Sequence, residues 1–277
     1  MMKYIMAAES RRLYDRMSGD KLSEKQKEQM NPLMSDNMKD TELMTALWIL
    51  SSILKEYYGK KVIILIDEYD VPLDKAFENN YYNEMIILLR NMLEQSLKTN
   101  DNLYMAVLTG CLRIARESIF TGLNNFNIFS ITDQYFDEYF GFTDKEVKEI
   151  LQYYKVPEAF EQTKKWYDGY RFGNTDIYCP WDVINHCRAL KVEPDATPQP
   201  YWINTSGNYI VKRFIEKANQ QTRREIEQLI EGKAIQKEIR LELTYNELDS
   251  TIENLWSVLF ATGYLTQQGN HKEEPTL

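Results

Sequence analysis

The sequence predicts an α/β fold, with part of a parallel sheet followed by a mostly helical region. Three observations carry this reading. Two unbroken apolar runs, Val62 to Ile66 and Leu103 to Leu108, have the length and composition of strands. Each is preceded by a segment with apolar residues at helical spacing. After residue 143, helical signals dominate. Helix, strand, helix, strand in that order implies right-handed crossovers and parallel pairing.

Residues 1–40 are rich in Met, Lys and Glu and only loosely periodic, and they predict a poorly anchored helix and linker. From Thr41 the pattern sharpens. Leu43, Ala46, Leu47, Leu50, Ile53, Leu54 and Tyr57 recur at helical spacing, and Gly59 stands where a helix would stop. The run Val62 to Ile66 follows and ends in Asp67-Glu68. A continuous apolar run, as opposed to an alternating one, predicts a central strand buried on both faces. A turn is expected at Asp70 to Leu73, then a helix over Tyr82 to Leu97, then the second strand, which ends at Thr109-Gly110.

Beyond Gly110, a loop rich in Gly and Asn leads to a short apolar stretch at Asn127 to Ile131, a candidate third strand. Thr143 and Glu146 have the spacing of a capping box opening a helix to about Tyr153. Further helices are expected at Pro157 to Tyr167, Trp181 to Leu190, Asn208 to Asn219, Arg223 to Glu231 and Thr251 to Phe260. The patch Pro194 to Pro200 predicts a connector. The domains expected are therefore an N-terminal segment (1–40), an α/β core (41–140), a helical region (141–268) and a tail (269–277).

Composition narrows the function classes. The 277 residues are 43% apolar, enough for a sizeable core. A net charge of -9 argues against direct nucleic-acid binding, which draws its affinity from clustered Lys and Arg. No apolar run approaches the ~18 residues of a membrane span, and the N-terminus lacks a signal-peptide core. Cys111, Cys179 and Cys187 fit a reducing compartment, so a cytoplasmic location is expected. Cys179, His186 and Cys187 match no zinc spacing, and packing is the preferred reading for them.

The chemistry-bearing signal is the strand that ends at once in two carboxylates. At the carboxyl end of a parallel strand, Asp67 and Glu68 would emerge where open α/β sheets bind ligands. In nucleoside-triphosphatases that geometry lets the Asp hold Mg²⁺ and the Glu activate water. Thr109, at the equivalent tip of the next strand, could sense a γ-phosphate, and Arg113 and Arg116 could reach a neighbouring site. The plain alternative is a strand-to-turn transition with solvated arginines. None of the 11 glycines belongs to a Gly-rich loop followed by Lys-Ser or Lys-Thr, so no phosphate cradle is recognisable.

Several motifs occur together: Ile64-Leu65-Ile66-Asp67-Glu68-Tyr69-Asp70-Val71-Pro72, Leu108-Thr109-Gly110-Cys111-Leu112-Arg113, and Ser118-Ile119-Phe120-Thr121-Gly122-Leu123-Asn124-Asn125. Trp166-Tyr167-Asp168-Gly169-Tyr170-Arg171-Phe172, Tyr201-Trp202-Ile203-Asn204-Thr205-Ser206 and Thr262-Gly263-Tyr264-Leu265-Thr266 follow in order. From about residue 41 to 268 the chain resembles the bacterial AAA-ATPase-like family. The resemblance implies a partial parallel-sheet P-loop ATPase-like core and then a mostly helical, winged-helix-like region. It implies ATP and Mg²⁺ as cofactors, with Asp67 as the metal ligand and Asp67, Glu68, Thr109, Arg113 and Arg116 at the site. Many members also carry a PD-(D/E)XK nuclease-like domain at the C-terminus. The family's opening Arg-Arg-Phe-Gly-Lys-Ser segment and that last domain have no counterpart here, so a truncated or shortened member is expected, inactive without a complementing phosphate loop.

Two functions remain in view, the Mg²⁺-and-water half of an ATPase and a non-catalytic scaffold for a protein partner or a second copy. A nuclease reading of Glu146-Val147-Lys148 is weaker, because the capping box already explains Glu146. The ring-rich segment Trp166 to Phe172 is expected to pack around a tight turn at Asp168-Gly169. Thr205 or Ser206 is expected to cap the helix from Asn208.

Overall fold

A computed structural model describes residues 2–17, 21–111, 119–120, 123, 126–202, 212, 216, 218–241, 243–244, 247 and 250–268. The chain divides into two compact units, the first comprising Met1–Asn127 with Glu242–Tyr245 and the second Ile128–Leu241 with Asn246–Leu277.

The first unit opens with α1 (Met2–Arg16) and α2 (Glu24–Leu33). Ser23 caps α2, its side chain accepting from the Gln26 N–H while the Gln26 side chain accepts from the Ser23 N–H. This reciprocal pair satisfies two backbone donors that the first turn would leave open. The segment expected to be poorly anchored is instead part of a core. Met17, Met30, Leu33 and Met38 are buried with Leu43, Ala46, Leu50 and Ile53 of α3 (Asp40–Tyr58). Methionine's unbranched side chain fills irregular gaps between helices, so weak periodicity does not mean weak packing. Gly59 ends α3 in the left-handed conformation, its N–H bonding the Lys55 carbonyl.

Two parallel strands follow, β1 (Val62–Ile66) and β2 (Leu103–Leu108), with Ile64 opposite Ala106 and Ile66 opposite Leu108. Between them run α4 (Val71–Glu78) and α5 (Tyr82–Leu97). The turn expected at Asp70 to Leu73 is the start of α4, where Pro72 fits the first helical turn because its missing N–H costs nothing there. β1 is not buried on both faces. Val62, Ile64 and Ile66 are partly covered, whereas Ile63 and Leu65, the latter 74% exposed, face outward beside Met105 and Val107 of β2. The continuous run does encode a two-sided strand, but among the described residues nothing covers its second face.

Among the described residues no third parallel strand forms, and residues 127–131 are irregular. Thr143 caps α6 (Asp144–Tyr154) with the expected box, the Thr143 N–H donating to the Glu146 carboxylate at 2.9 Å. A 3₁₀ turn (Pro157–Ala159) and α7 (Phe160–Tyr167) follow. The turn expected at Asp168-Gly169 lies elsewhere. Residues Asp168–Phe172 form β3, which pairs antiparallel with β4 (Thr175–Tyr178), so the hairpin turns at Gly173-Asn174. After β4 come α8 (Pro180–Val192) and helices Gln220–Ile230 and Asn254–Ala261. The helix expected at 208–219 and the cap at Thr205 or Ser206 fall almost wholly outside the described residues.

Val147 and Leu151 of α6, Tyr178 of β4, and Val183, Cys187 and Leu190 of α8 form the second core. Lys164 binds the Asp144 carboxylate at 2.8 Å and lies 3.5 Å from that of Asp168, and the Tyr178 hydroxyl also donates to Asp144. His186 is buried beside the Tyr167 ring, and burial lowers its pKa. Burial pushes the neighbouring Cys187 thiol up to about 11. No described helix is long and apolar enough to cross a membrane.

Candidate functional site

The carboxyl ends of β1 and β2 are neighbours because the strands are parallel and in register up to Ile66 and Leu108. The Thr109 N–H donates to the Ile66 carbonyl at 2.9 Å, and the Tyr69 N–H donates to the Thr109 carbonyl at 3.0 Å. These two bonds carry the ladder one step past the strands. They bring Thr109 to Asp67, and the Thr109 hydroxyl donates to the Asp67 carboxylate. Asp67 also accepts from the Glu68 N–H at 3.0 Å.

Glu68 is exposed and has φ +51°. The left-handed region costs a side-chain-bearing residue about 1–2 kcal/mol, and here it turns the chain abruptly from β1 toward α4. Asp67 is exposed as well, so both carboxylates reach solvent beside Thr109. Arg113 and Arg116 lie outside the described residues.

Asp70 belongs to this arrangement, although the sequence pattern did not single it out as a site residue. It is 4% exposed and its carboxylate accepts the Cys111 N–H at 3.0 Å, tying the loop after β1 to the loop after β2. Its carbonyl accepts from Leu73 and Asp74 at the start of α4. Gly110 is required between them, because a Cβ there would stand 2.7 Å from an Asp70 carboxylate oxygen and 2.8 Å from the Tyr69 ring. The third acid of Asp67-Glu68-Tyr69-Asp70 was a visible signal, but its inward direction was not. The Cys111 thiol feels this setting, its pKa raised first by burial and then by the negative charges of Asp70, Glu68 and Asp67.

An Asp carboxylate beside a Thr hydroxyl is the hard oxygen chemistry that Mg²⁺ accepts. Among the described residues no group of three or more His, Cys, Asp or Glu side chains could form a closed cage. The donor set therefore fits Mg²⁺ bound by one or two protein groups and completed by water and phosphate oxygens. Among the described residues it offers no cation to a triphosphate. The cleft at the tip is walled by Ile66, Pro72, Leu89, Met92, Leu93 and Ile119, and among the described residues no Lys or Arg lines it. The adjacent helix start, α4, is preceded by the buried acid Asp70.

Residues 4–120 match a family model described as a predicted AAA-ATPase, AAA-ATPase-like. Over 152 residues the chain is 27% identical to "Uncharacterized protein in vnfD 5'region" of Azotobacter chroococcum mcd 1, an alignment covering 53% of this chain and 27% of that protein. The chain thus spans about a quarter of the length of that relative. No solved structure matches. Over residues 4–120 the chain is therefore similar to the AAA-ATPase-like family, a family of predicted AAA-ATPases.

Proposed function

We propose that the first unit is the Mg²⁺-binding and water-activating half of an ATP-hydrolysis site, with the phosphate-binding loop supplied by another polypeptide segment. The observation that carries this reading is the contact between Asp67 and Thr109 across the tips of two parallel strands, with the exposed Glu68 beside it. Asp67 and Thr109 would hold a Mg²⁺ ion by their oxygens, and Glu68 would accept a proton from the attacking water at its carboxylate. Mg²⁺, when bound, offsets the charge that develops on the phosphate oxygens. Arg113 and Arg116 are proposed to act at the site of a neighbouring subunit, and the second unit is proposed to be the winged-helix-like region, with the β3–β4 hairpin as its wing.

Cys111 is a built-in reporter for this reading. A cation at Asp67 offsets part of the negative field that, after burial, raises the Cys111 pKa, so more thiolate forms at a given pH. Alkylation of Cys111, followed by peptide mass spectrometry at pH 8, should run at least about twofold faster with saturating Mg²⁺. The acceleration should vanish in Asp67→Asn. An unchanged rate in the wild-type chain, with Mg²⁺ alone and with Mg²⁺ plus ATP, would remove the basis for the proposal.

One observation favours a second reading, a non-catalytic scaffold. The outward face of the sheet leaves Ile63, Leu65, Met105 and Val107 exposed, and parallel sheets are ordinarily covered on both faces. On that reading the chain ignores Mg²⁺ and ATP but associates with a partner through this face.

A further inference from the structure

The second unit carries a surface with a chemistry of its own, independent of the Mg²⁺ reading. Between Ile128 and Phe142 the chain has no regular secondary structure up to the bridge at Phe142, yet four rings form a continuous row. Tyr135 packs on Phe129 with ring centres 5.4 Å apart, Phe129 on Phe136 at 5.1 Å, and Phe136 on Tyr139 at 5.8 Å. All four are exposed, the outer two most of all, with Tyr135 at 72% and Tyr139 at 77%. A contiguous exposed apolar patch of this kind marks an interaction site more often than scattered surface rings do.

The row is held in place. The Gly173 N–H of the hairpin turn donates to the Ile131 carbonyl at 2.9 Å, and the Asn174 N–H donates to the Asp137 carboxylate at 3.1 Å. Asp133 accepts from the Ser130 N–H at 2.7 Å and from its hydroxyl at 2.8 Å. Phe136 has φ +66°, a conformation that a bulky residue adopts only where its surroundings impose it. The ring is thereby turned into the row at a cost in backbone strain.

Charge indicates what the surface accepts. Residues 128–143 contain Asp133, Asp137 and Glu138 and no Lys or Arg. Among the described residues no lysine or arginine stands over any of these four rings, whereas Lys148 stands over Phe160 and Lys237 over Trp256. Ring faces and carboxylates are both electron-rich, so the surface attracts cations and repels nucleic acid and anionic lipid. A guanidinium suits it better than an ammonium, because it is planar, weakly hydrated, stacks on rings and pairs with a carboxylate at its edge. We infer that the row Tyr135–Phe129–Phe136–Tyr139, in a segment that carries Asp133, Asp137 and Glu138 and no Lys or Arg, binds an arginine-rich segment of another protein.

The test uses the full chain and two labelled peptides of equal charge, hexa-arginine and hexalysine, titrated by fluorescence anisotropy. Hexa-arginine should bind about tenfold more tightly than hexalysine at the same ionic strength. The preference should disappear in Tyr135→Ala/Tyr139→Ala, which leaves the net charge and, given the exposure of both rings, the melting temperature unchanged. It should disappear equally in Tyr135→Leu/Tyr139→Leu, which keeps apolar bulk without a ring face. Equal affinity for the two peptides, or a preference that survives both double variants, would mean attraction by bulk charge and overturn the inference. Self-association of the wild-type chain, abolished by the same substitutions, would overturn it too, because the row would then be an interface between copies.

Discussion

Glu68→Gln is expected to lower Mg·ATP turnover by at least about 100-fold in an assembly that contains this chain and a phosphate-binding loop. Affinity for Mg·ATP should stay within about threefold of wild type. The substitution keeps the size and exposure of the side chain, so it removes only the capacity to take a proton from water. Asp67, which meets the Thr109 hydroxyl, is untouched by it. Single-turnover kinetics with a parallel binding assay separate the two effects. Turnover equal to wild type would take Glu68 out of the proposed chemistry and leave its φ of +51° as a feature of the turn alone.

The second large effect concerns stability. Trp256 is 2% exposed in the helix Asn254–Ala261, with the Lys237 ammonium 5.1 Å from its ring centre. Trp256→Ala should cost about 3–5 kcal/mol, the lost transfer free energy of a large ring plus the cavity it leaves. Trp166, in the ring-rich motif that suggested packing, is about half exposed, and Trp166→Ala should cost less than about 1 kcal/mol. Urea unfolding of the two variants makes the comparison, and equal losses would contradict the burial that separates the two rings.

That contrast shows what the sequence reveals and what it conceals. Where one segment's own pattern decides its structure, sequence and structure agree. The helix ending at Gly59, the strands Val62 to Ile66 and Leu103 to Leu108, the helix Tyr82 to Leu97 and the capped helix after Thr143 all form nearly where expected. Sequence and structure differ where a distant neighbour decides. The methionines of residues 1–40 gain their burial from α3, a contact that their spacing does not advertise. The hairpin at Gly173-Asn174 exists because Asp168–Phe172 pairs with Thr175–Tyr178, and two short strands with mixed polarity carry no strong period. The apolar run of β1 told its own composition but not which of its faces would find a partner.

The candidate site follows the same rule. The placement of Asp67, Glu68 and Thr109 is legible because each stands just past an apolar run, and parallel pairing makes the two ends neighbours. Asp70 was not, because its role depends on the approach of Cys111 from the other loop and on the space left by Gly110. Its hydrogen bond with the Cys111 N–H links the segment after the acidic pair to the end of β2.

Binding of Mn²⁺, read by electron paramagnetic resonance across a double-mutant cycle of Asp67→Asn and Thr109→Val, probes whether those two side chains make one cation site. Asp67→Asn should weaken binding by at least about tenfold, and adding Thr109→Val should then change it little, because the two groups act together. Mn²⁺ affinity that is the same in the wild-type chain and in Asp67→Asn would contradict the account.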